Sequence, residues 1–80
     1  MPLFYFSIDD EAPDEIGREL ASVAQAKCEA VRYAGELICD SANTFWNSGE
    51  FRMIVSDDNG LALFSLHLIG ADAPAIRPSA

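Results

Sequence analysis

The sequence has few of the residues that most enzyme active sites and nucleic-acid-binding surfaces require. Its 80 residues include one histidine, two cysteines and five basic residues against 13 acidic residues, so the formal net charge is -8. A chain with this charge repels a phosphate backbone, which disfavours direct nucleic-acid binding. The length allows one domain, because a typical domain has roughly 100–200 residues. Half of the residues are apolar, which indicates a folded chain rather than a disordered one.

The beginning of the sequence also lacks the features of a secretion signal. No Lys or Arg precedes Arg18, and the first apolar run stops at Asp9, whereas a signal peptide combines a basic start with a longer apolar stretch. No run reaches the ~18 apolar residues that a membrane-spanning helix needs. We therefore expect a cytoplasmic protein that does not bind membranes. Cys28 and Cys39 are expected on one helix, about 16 Å apart along its axis, and therefore as free thiols.

Patterns of apolar residues predict a small antiparallel sheet and one long helix. Residues 3–8 alternate as a strand, residues 15–20 are typical of a short edge strand, and residues 50–56 and 61–69 form a hairpin. Asn59-Gly60 between the last two strands predicts a type I′ turn. Ser22 and Gln25 fit a capping box, so a helix is expected from about Val23 to about Phe45.

The predicted helix has one apolar stripe and contains a glycine. Gly35 costs about 1 kcal/mol relative to Ala inside a helix, which indicates either close approach of another backbone or a bend. The stripe contains Val23, Ala26, Ala30, Val31, Ala34, Leu37, Ile38 and Phe45. The expected fold is an α+β two-layer domain over residues 1–69, with one long helix packed on an antiparallel sheet of three or four strands. The chain order is β-(β)-α-β-β, and residues 70–80 are expected to form a flexible tail.

One helix covers only one face of such a sheet, so the other face is a candidate interface. Residues expected there are Leu3, Tyr5, Ile54, Leu63 and His67. A contiguous apolar patch is typical of an interaction site, which favours a homodimer or a bound protein partner. The alternative is that the tail covers this face, with Ile76 as its anchor. Trp46 near the helix end is a further candidate, either as a contact with a partner or as an aromatic that covers the helix end.

Residues for catalysis or metal binding do not occur at suitable spacings. The acidic run of Asp9, Asp10, Glu11, Asp14 and Glu15 lacks the alternating carboxylates and central Gly of an EF-hand loop. His67 has no predicted partner for acid–base work, because Cys28 and Cys39 are expected away from the sheet. We therefore expect no catalytic residue, no metal and no cofactor, and a protein that is not an enzyme.

Two functions remain compatible with these features. The first is a non-enzymatic protein-interaction module that self-associates through the open sheet face or an edge strand. The second is an inhibitor or antitoxin-like protein that neutralises a basic partner, for which the -8 charge would provide rapid, salt-sensitive association. The second rests on an analogy of architecture to β-rich antitoxin domains.

The order of motifs resembles a family of short bacterial proteins known only as a domain of unknown function. The matching segments are Met1-Pro2 with Phe4-Tyr5-Phe6, then Asp14-Glu15-Ile16-Gly17-Arg18-Glu19-Leu20, the helix from Ser22, and Ser56-Asp57-Asp58-Asn59-Gly60-Leu61. The resemblance covers about residues 1–68, and Gly17–Leu20 is its most specific part. Leu3 stands where members often have a basic residue, and the tail after Ile69 is additional. The family has no assigned activity, so the resemblance implies an architecture, including the short second strand, and no functional residue.

Overall fold

The protein is an α+β domain in which two helices lie in sequence between the second and third strands of a four-stranded antiparallel sheet. The computed structural model describes residues 2–8 and 16–75. The elements are β1 (Leu3–Ile8), β2 (Arg18–Glu19), α1 (Val23–Asp40), α2 (Ala42–Ser48), β3 (Glu50–Ser56) and β4 (Ala62–Ile69). The α+β architecture expected from the sequence is confirmed, including the short second strand.

The strand order in the sheet is β2-β1-β3-β4, so β1 and β3 are central. Phe6 of β1 lies opposite Val55 of β3, and Met53 lies opposite Leu66 of β4. The register shifts between Val55 and Ser56, where β4 approaches the hairpin turn. One edge of the sheet is therefore the two-residue strand β2, and the other is the eight-residue strand β4.

The core is small and lies between α1 and the two central strands. Its buried residues are Phe4, Phe6, Ala26, Ala30, Ala34, Met53 and Val55. The three alanines recur every fourth residue, so they lie on one side of α1 and let the helix approach the sheet closely. The α-helix thus contributes small side chains, and the strands contribute the large ones.

The start of α1 forms as the sequence predicts. The Ser22 hydroxyl accepts a hydrogen bond from the Gln25 N–H at 3.1 Å. The Gln25 side chain reaches back and accepts from the Ala21 N–H at 2.7 Å. The first bond satisfies a backbone donor that the helix N-terminus otherwise leaves without a partner, and the second fixes the residue that precedes the cap.

The predicted apolar stripe of α1 is too wide. Val23 and Val31 are 45% and 62% exposed, so the prediction that they pack on the sheet is wrong. The close approach allowed by the alanines confines the contact to a narrow stripe, and Val31 lies beside it. Val23 is in line with the alanines but is the first residue of α1, before the first buried alanine, Ala26. Tyr33, which the sequence analysis left out, is half-buried against the core and packs edge-on against Phe6 with ring centroids 6.3 Å apart.

The single helix predicted to reach Phe45 is two helices. α1 ends at Asp40, and Ser41 has φ -127° and ψ 42°, which is outside the helical region. Its N–H donates to the carbonyls of Leu37 and Ile38, and α2 then begins at Ala42. Asp and Ser side chains compete for backbone hydrogen bonds, so this is a weak point for helix continuation.

The β3–β4 hairpin is confirmed, but the type I′ turn is wrong. The Gly60 N–H donates to the Asp57 carbonyl at 3.1 Å, and the Asp57 N–H donates to the Leu61 carbonyl at 3.0 Å. The loop therefore has three residues and ends in Gly60 at φ 82°, as in a type I turn followed by a left-handed residue. The Asp57 carboxylate stabilises it by accepting from the Asn59 and Leu61 N–H groups.

Three further expectations concern Gly35, the tail after Ile69 and the acidic run. No atom of residues 2–8 and 16–75 lies within 4 Å of a Cβ placed on Gly35, so the expectation that another backbone approaches this glycine closely is wrong. Gly70 begins the segment predicted as a tail, and its N–H donates to the Gly49 carbonyl at 3.0 Å. The acidic run of residues 9–15 and Ile76 lie outside the described residues.

Candidate interaction surface

The open face of the sheet is formed by the alternate residues of each strand that point away from α1. It contains Leu3, Tyr5, Ser7, Glu50, Arg52, Ile54, Ser56, Leu63, Ser65, His67 and Ile69. In register, Tyr5 lies opposite Ser56, and Arg52 lies opposite His67. Ile54 lies between two serines, one on each neighbouring strand. Five of the six candidate interface residues therefore share this face, but serines and an arginine separate them.

Tyr5 and Ile54 are less accessible than a freely exposed strand residue. Both are half-buried, as is Leu3. The Tyr5 ring lies against the backbone of Gly17, where an added Cβ would be 2.9 Å from Tyr5 Cε2. The segment before β2 therefore already covers part of the open face on the β1 side.

The β4 side of the molecule is much more exposed. Leu63 is 38% exposed, and His67 is also exposed. Other large apolar side chains exposed on or beside this strand are Leu61, Leu68 and Ile69. Among the described residues, half of the eight exposed large hydrophobic side chains thus lie at residues 61–69.

Charged residues are missing from this part of the sequence. Residues 59–71 contain no Asp, Glu, Lys or Arg, and this is the longest such run in the chain. Natural edge strands usually carry charges, proline or bulges that prevent pairing with another chain. β4 has only the register shift near its first residue. The opposite edge, β2, consists of Arg18 and Glu19.

Trp46 is located on α2, not on the open face. Its ring packs edge-on against Phe45 with centroids 5.4 Å apart. A Cβ added to Gly70 would lie 2.7 Å from the Trp46 ring, so Trp46 lies against the backbone just beyond β4. A depression of about 310 Å³ is lined by Trp46, Gly70, Ala71 and Asp72. With the Trp46 side chain 56% exposed, the apolar surface along β4 continues onto α2.

The strongest electrostatic feature lies on α1. Glu29 binds two arginines, Arg18 of β2 at 2.6 Å and Arg32 one turn along the helix. Arg32 also binds Glu36, one turn further along α1, at 2.5 Å. The hydrogen bond from Arg32 holds the pKa of Glu29 below its usual range, against the opposing effect of burial, with further lowering from both arginine charges. The Glu29 charge raises the pKa of Arg32 in turn.

Arg18 connects this cluster to the core. Its guanidinium lies 4.7 Å from the centre of the Tyr33 ring and 5.6 Å from that of Phe6. Cation–π contacts of this kind stabilise a partly exposed arginine. The cluster therefore ties the short strand β2 to α1.

The residues considered for chemistry are separated. Cys28 and Cys39 are exposed free thiols on α1, and His67 is on β4. A depression of about 410 Å³ at the junction of the helices is lined by Cys39, Asp40, Ser41, Ala42, Asn43 and Thr44. Within residues 2–8 and 16–75, no group of three His, Cys, Asp or Glu side chains could hold a metal ion. No helix in this part of the chain is long and apolar enough to cross a membrane.

Sequence reasoning identified Leu63 and His67 on β4 but not Leu61, Leu68 and Ile69. The absence of charge from residues 59–71 was the available signal. This absence of charge indicates an interaction surface only if β4 is known to be an edge strand, because a buried central strand normally lacks charged residues too.

Comparison with known proteins gives a family but no function. Searches of the curated proteins and of the solved structures found no match. The chain does match a family of domains of unknown function over residues 3–69, which span all four strands and both helices. The protein is therefore a member of the domain family of unknown function DUF6894.

Proposed function

We propose that the protein is a non-enzymatic protein-interaction module that self-associates. The observation that carries this proposal is the exposed, uncharged apolar surface along β4. Ile69 is 80% exposed and Leu61 is 64% exposed. Residues 59–71 contain no charged side chain, although Glu50 of β3 lies opposite Ile69. Contiguous exposed apolar surface on a small domain is typical of a site that binds protein.

The small core supports the same proposal. Among the residues that the structure describes, seven are buried in the core, and three of these are alanines, which bury little apolar area. Domains of this size bury a smaller share of their surface than larger ones and are often stabilised by oligomerisation. Association through β4 would remove further apolar area from water, at about 25 cal/mol per Å².

The pairing of two carboxylates on α1 favours self-association over the inhibitor function. Glu29 and Glu36 on α1 already bind Arg18 and Arg32 within the chain. They are therefore partly neutralised, whereas a protein that captures a basic partner needs carboxylates free to pair with it. The uncharged β4 surface offers such a partner no complementary charge.

The locations of His67 and the cysteines support a role without catalysis. His67 is exposed on β4, and Cys28 and Cys39 are exposed on α1. A general base needs a positioned substrate and an activated nucleophile needs an adjacent base, usually in a site that limits access of water. The Trp46 depression is lined by Gly70, Ala71 and Asp72, without a thiol, hydroxyl or imidazole. The depression at the junction of the helices includes Cys39, but no histidine is among its lining residues.

Sedimentation equilibrium on the wild-type chain at low and high salt tests the proposal. Two copies each carry a charge of -8, so salt should screen their repulsion and strengthen a self-association based on apolar contacts. Binding of a basic partner should instead weaken with salt. A monomer at every protein and salt concentration would contradict the proposal.

Two matched variants locate the contact. Ile69→Lys should weaken association, because it places a charge on the β4 surface and does not repel Glu50, which lies opposite on β3. Val31→Lys is the control, since Val31 is also a highly exposed β-branched residue but lies on α1. Equal effects of the two substitutions would show that only the added charge matters and that β4 is not the site.

A further inference from the structure

The alternation of backbone hydrogen bonds along β4 shows which of its groups face away from the sheet. The Gly70 N–H donates to the Gly49 carbonyl, and these residues lie opposite each other, one step beyond the Glu50–Ile69 pair. Hydrogen-bonded and non-hydrogen-bonded pairs alternate in an antiparallel ladder. Leu66 is therefore in a hydrogen-bonded pair with Met53, and the N–H and C=O groups of Ser65, His67 and Ile69 point outward.

The side chains of β4 form a pattern that is symmetric about Leu66. From residue 63 to residue 69 the sequence is Leu-Phe-Ser-Leu-His-Leu-Ile, or apolar, apolar, polar, apolar, polar, apolar, apolar. When a strand pairs with its own copy around a two-fold axis, residues at equal distances on either side of the axis lie opposite each other. The polar and apolar residues of β4 therefore match if the axis passes through Leu66.

We infer that two copies of the chain pair antiparallel through β4, with Leu66 opposite Leu66 of the second copy, to form one continuous eight-stranded sheet. This inference rests on the self-association proposed above. In this register Ser65 lies opposite His67, Phe64 opposite Leu68 and Leu63 opposite Ile69. The outward backbone groups of Ser65 and His67 then bond to each other across the interface.

Other registers match less well. Centring the pair on His67 would place Ser65 opposite Ile69, and centring it on Ser65 would place Leu63 opposite His67. Both registers set polar against apolar side chains, which loses the cross-strand packing that stabilises a sheet. In a register shifted by one residue, the outward N–H and C=O groups of one copy would lie opposite residues whose own groups point inward. Hydrogen bonds between the two strands could then not form.

The distribution of charge favours a second copy as the occupant. Each copy has a charge of -8, yet residues 59–71 carry no charged side chain. Two copies can therefore pair along β4 with no carboxylate on either of the two paired strands. The opposite edge, Arg18–Glu19, is only two residues long, so it offers few backbone groups for pairing.

His67→Pro tests the backbone pairing while leaving the β3–β4 ladder intact. Proline removes the outward His67 N–H, and edge strands tolerate it where that group faces solvent. Each dimer loses two interchain hydrogen bonds, so the dissociation constant should rise about 30-fold or more. His67→Thr is the matched control, because it changes the side chain and keeps the N–H. Ile54→Lys should also leave a dimer, since Ile54 lies on the open face away from the edge.

Amide hydrogen exchange on the wild-type chain provides a second test that does not depend on the folding of a variant. The Ser65 and His67 amides should become protected as protein concentration, and hence the dimer fraction, rises. Protection of these amides together with loss of the dimer in His67→Pro supports the inference.

The possible contrary results separate this inference from the proposed function. A wild-type dimer with unprotected Ser65 and His67 amides, or a His67→Pro chain that dimerises as well as wild type, overturns β4 pairing while self-association stands. A wild-type chain that remains monomeric overturns both. If Ile54→Lys alone abolishes the dimer, the open face is the interface and β4 pairing is wrong.

Discussion

The Tyr5 ring lies directly over the backbone of Gly17, and Gly17 adopts φ 76°. Two independent requirements thus meet at this glycine. A positive φ favours a residue without a Cβ, and an added Cβ would be 2.9 Å from Tyr5 Cε2 and 3.0 Å from Cζ. The glycine lies immediately before β2, so its conformation determines how this strand comes back beside β1.

Gly17→Ala should destabilise the domain more than Gly60→Ala does. Both glycines have positive φ, but no described residue lies within 4 Å of a Cβ at Gly60. Gly60→Ala should therefore cost only the backbone strain of about 1–2 kcal/mol. Gly17→Ala also forces the Tyr5 ring to move. Urea unfolding of the two variants measures the difference, and equal losses would contradict the role of the ring.

A double-mutant cycle isolates the contribution of Tyr5. In a Tyr5→Ala background, the cost of Gly17→Ala should fall to that of Gly60→Ala, because no ring remains to be displaced. An unchanged cost would mean that Gly17 acts through its backbone conformation alone.

Local patterns in the sequence predicted much of this fold. The Ser22–Gln25 capping box involves neighbouring residues only, and its hydrogen bonds form as expected. The assignment of side chains to the two faces of each strand also follows from the alternation of residues along the strand. The break at Ser41 was not predicted, because apolar spacing continues into α2 even though the backbone leaves the helical region.

The parts of the surface that were not predicted depend on contacts distant in sequence. Val31 fits the same helical stripe as Ala30, and only the close packing of α1 on the sheet shows that it is exposed. Leu63 and His67 were assigned to the open face. The position of β4 at an edge follows from the strand order β2-β1-β3-β4, which alternation within one strand does not determine.

Gly35→Ala should stabilise the protein. Gly35 lies inside α1, is exposed, and has open space where a Cβ would be added. Ala is favoured over Gly in a helix interior by about 1 kcal/mol. Thermal unfolding should show a higher midpoint for the variant. Gly70→Ala provides the contrast, because its Cβ would lie 2.7 Å from the Trp46 ring, and it should not stabilise.

Ser22→Ala should destabilise the domain, and Ser41→Ala should not. Both serines precede a helix, but only Ser22 accepts a hydrogen bond through its side chain. Loss of such a cap costs about 0.5–2 kcal/mol. Denaturant unfolding of the two variants makes the comparison directly. Equal losses would indicate that the Ser22 hydroxyl contributes nothing beyond its backbone position.

The stabilisation provided by Glu29 should depend on pH. Arg32 and Arg18 lower the pKa of Glu29 in the folded state from its usual value of 4.5, so the unfolded chain binds a proton at this group more readily. The contribution is therefore fully present above about pH 4.5 and is lost as pH falls through the lower folded value. Glu29→Gln should destabilise the protein at neutral pH and have progressively less effect below pH 4.5.

Replacing Arg32 tests the cause of this pH dependence. Arg32 contributes the hydrogen bond with the largest effect on the pKa of Glu29. In an Arg32→Met background, the loss of unfolding free energy caused by Glu29→Gln should shrink at neutral pH, and its dependence on pH should flatten. Urea unfolding of wild type, the two single variants and the double variant from neutral to acid pH provides the measurement. A loss that stays constant with pH in both backgrounds would show that Glu29 stabilises α1 through packing rather than through its charge.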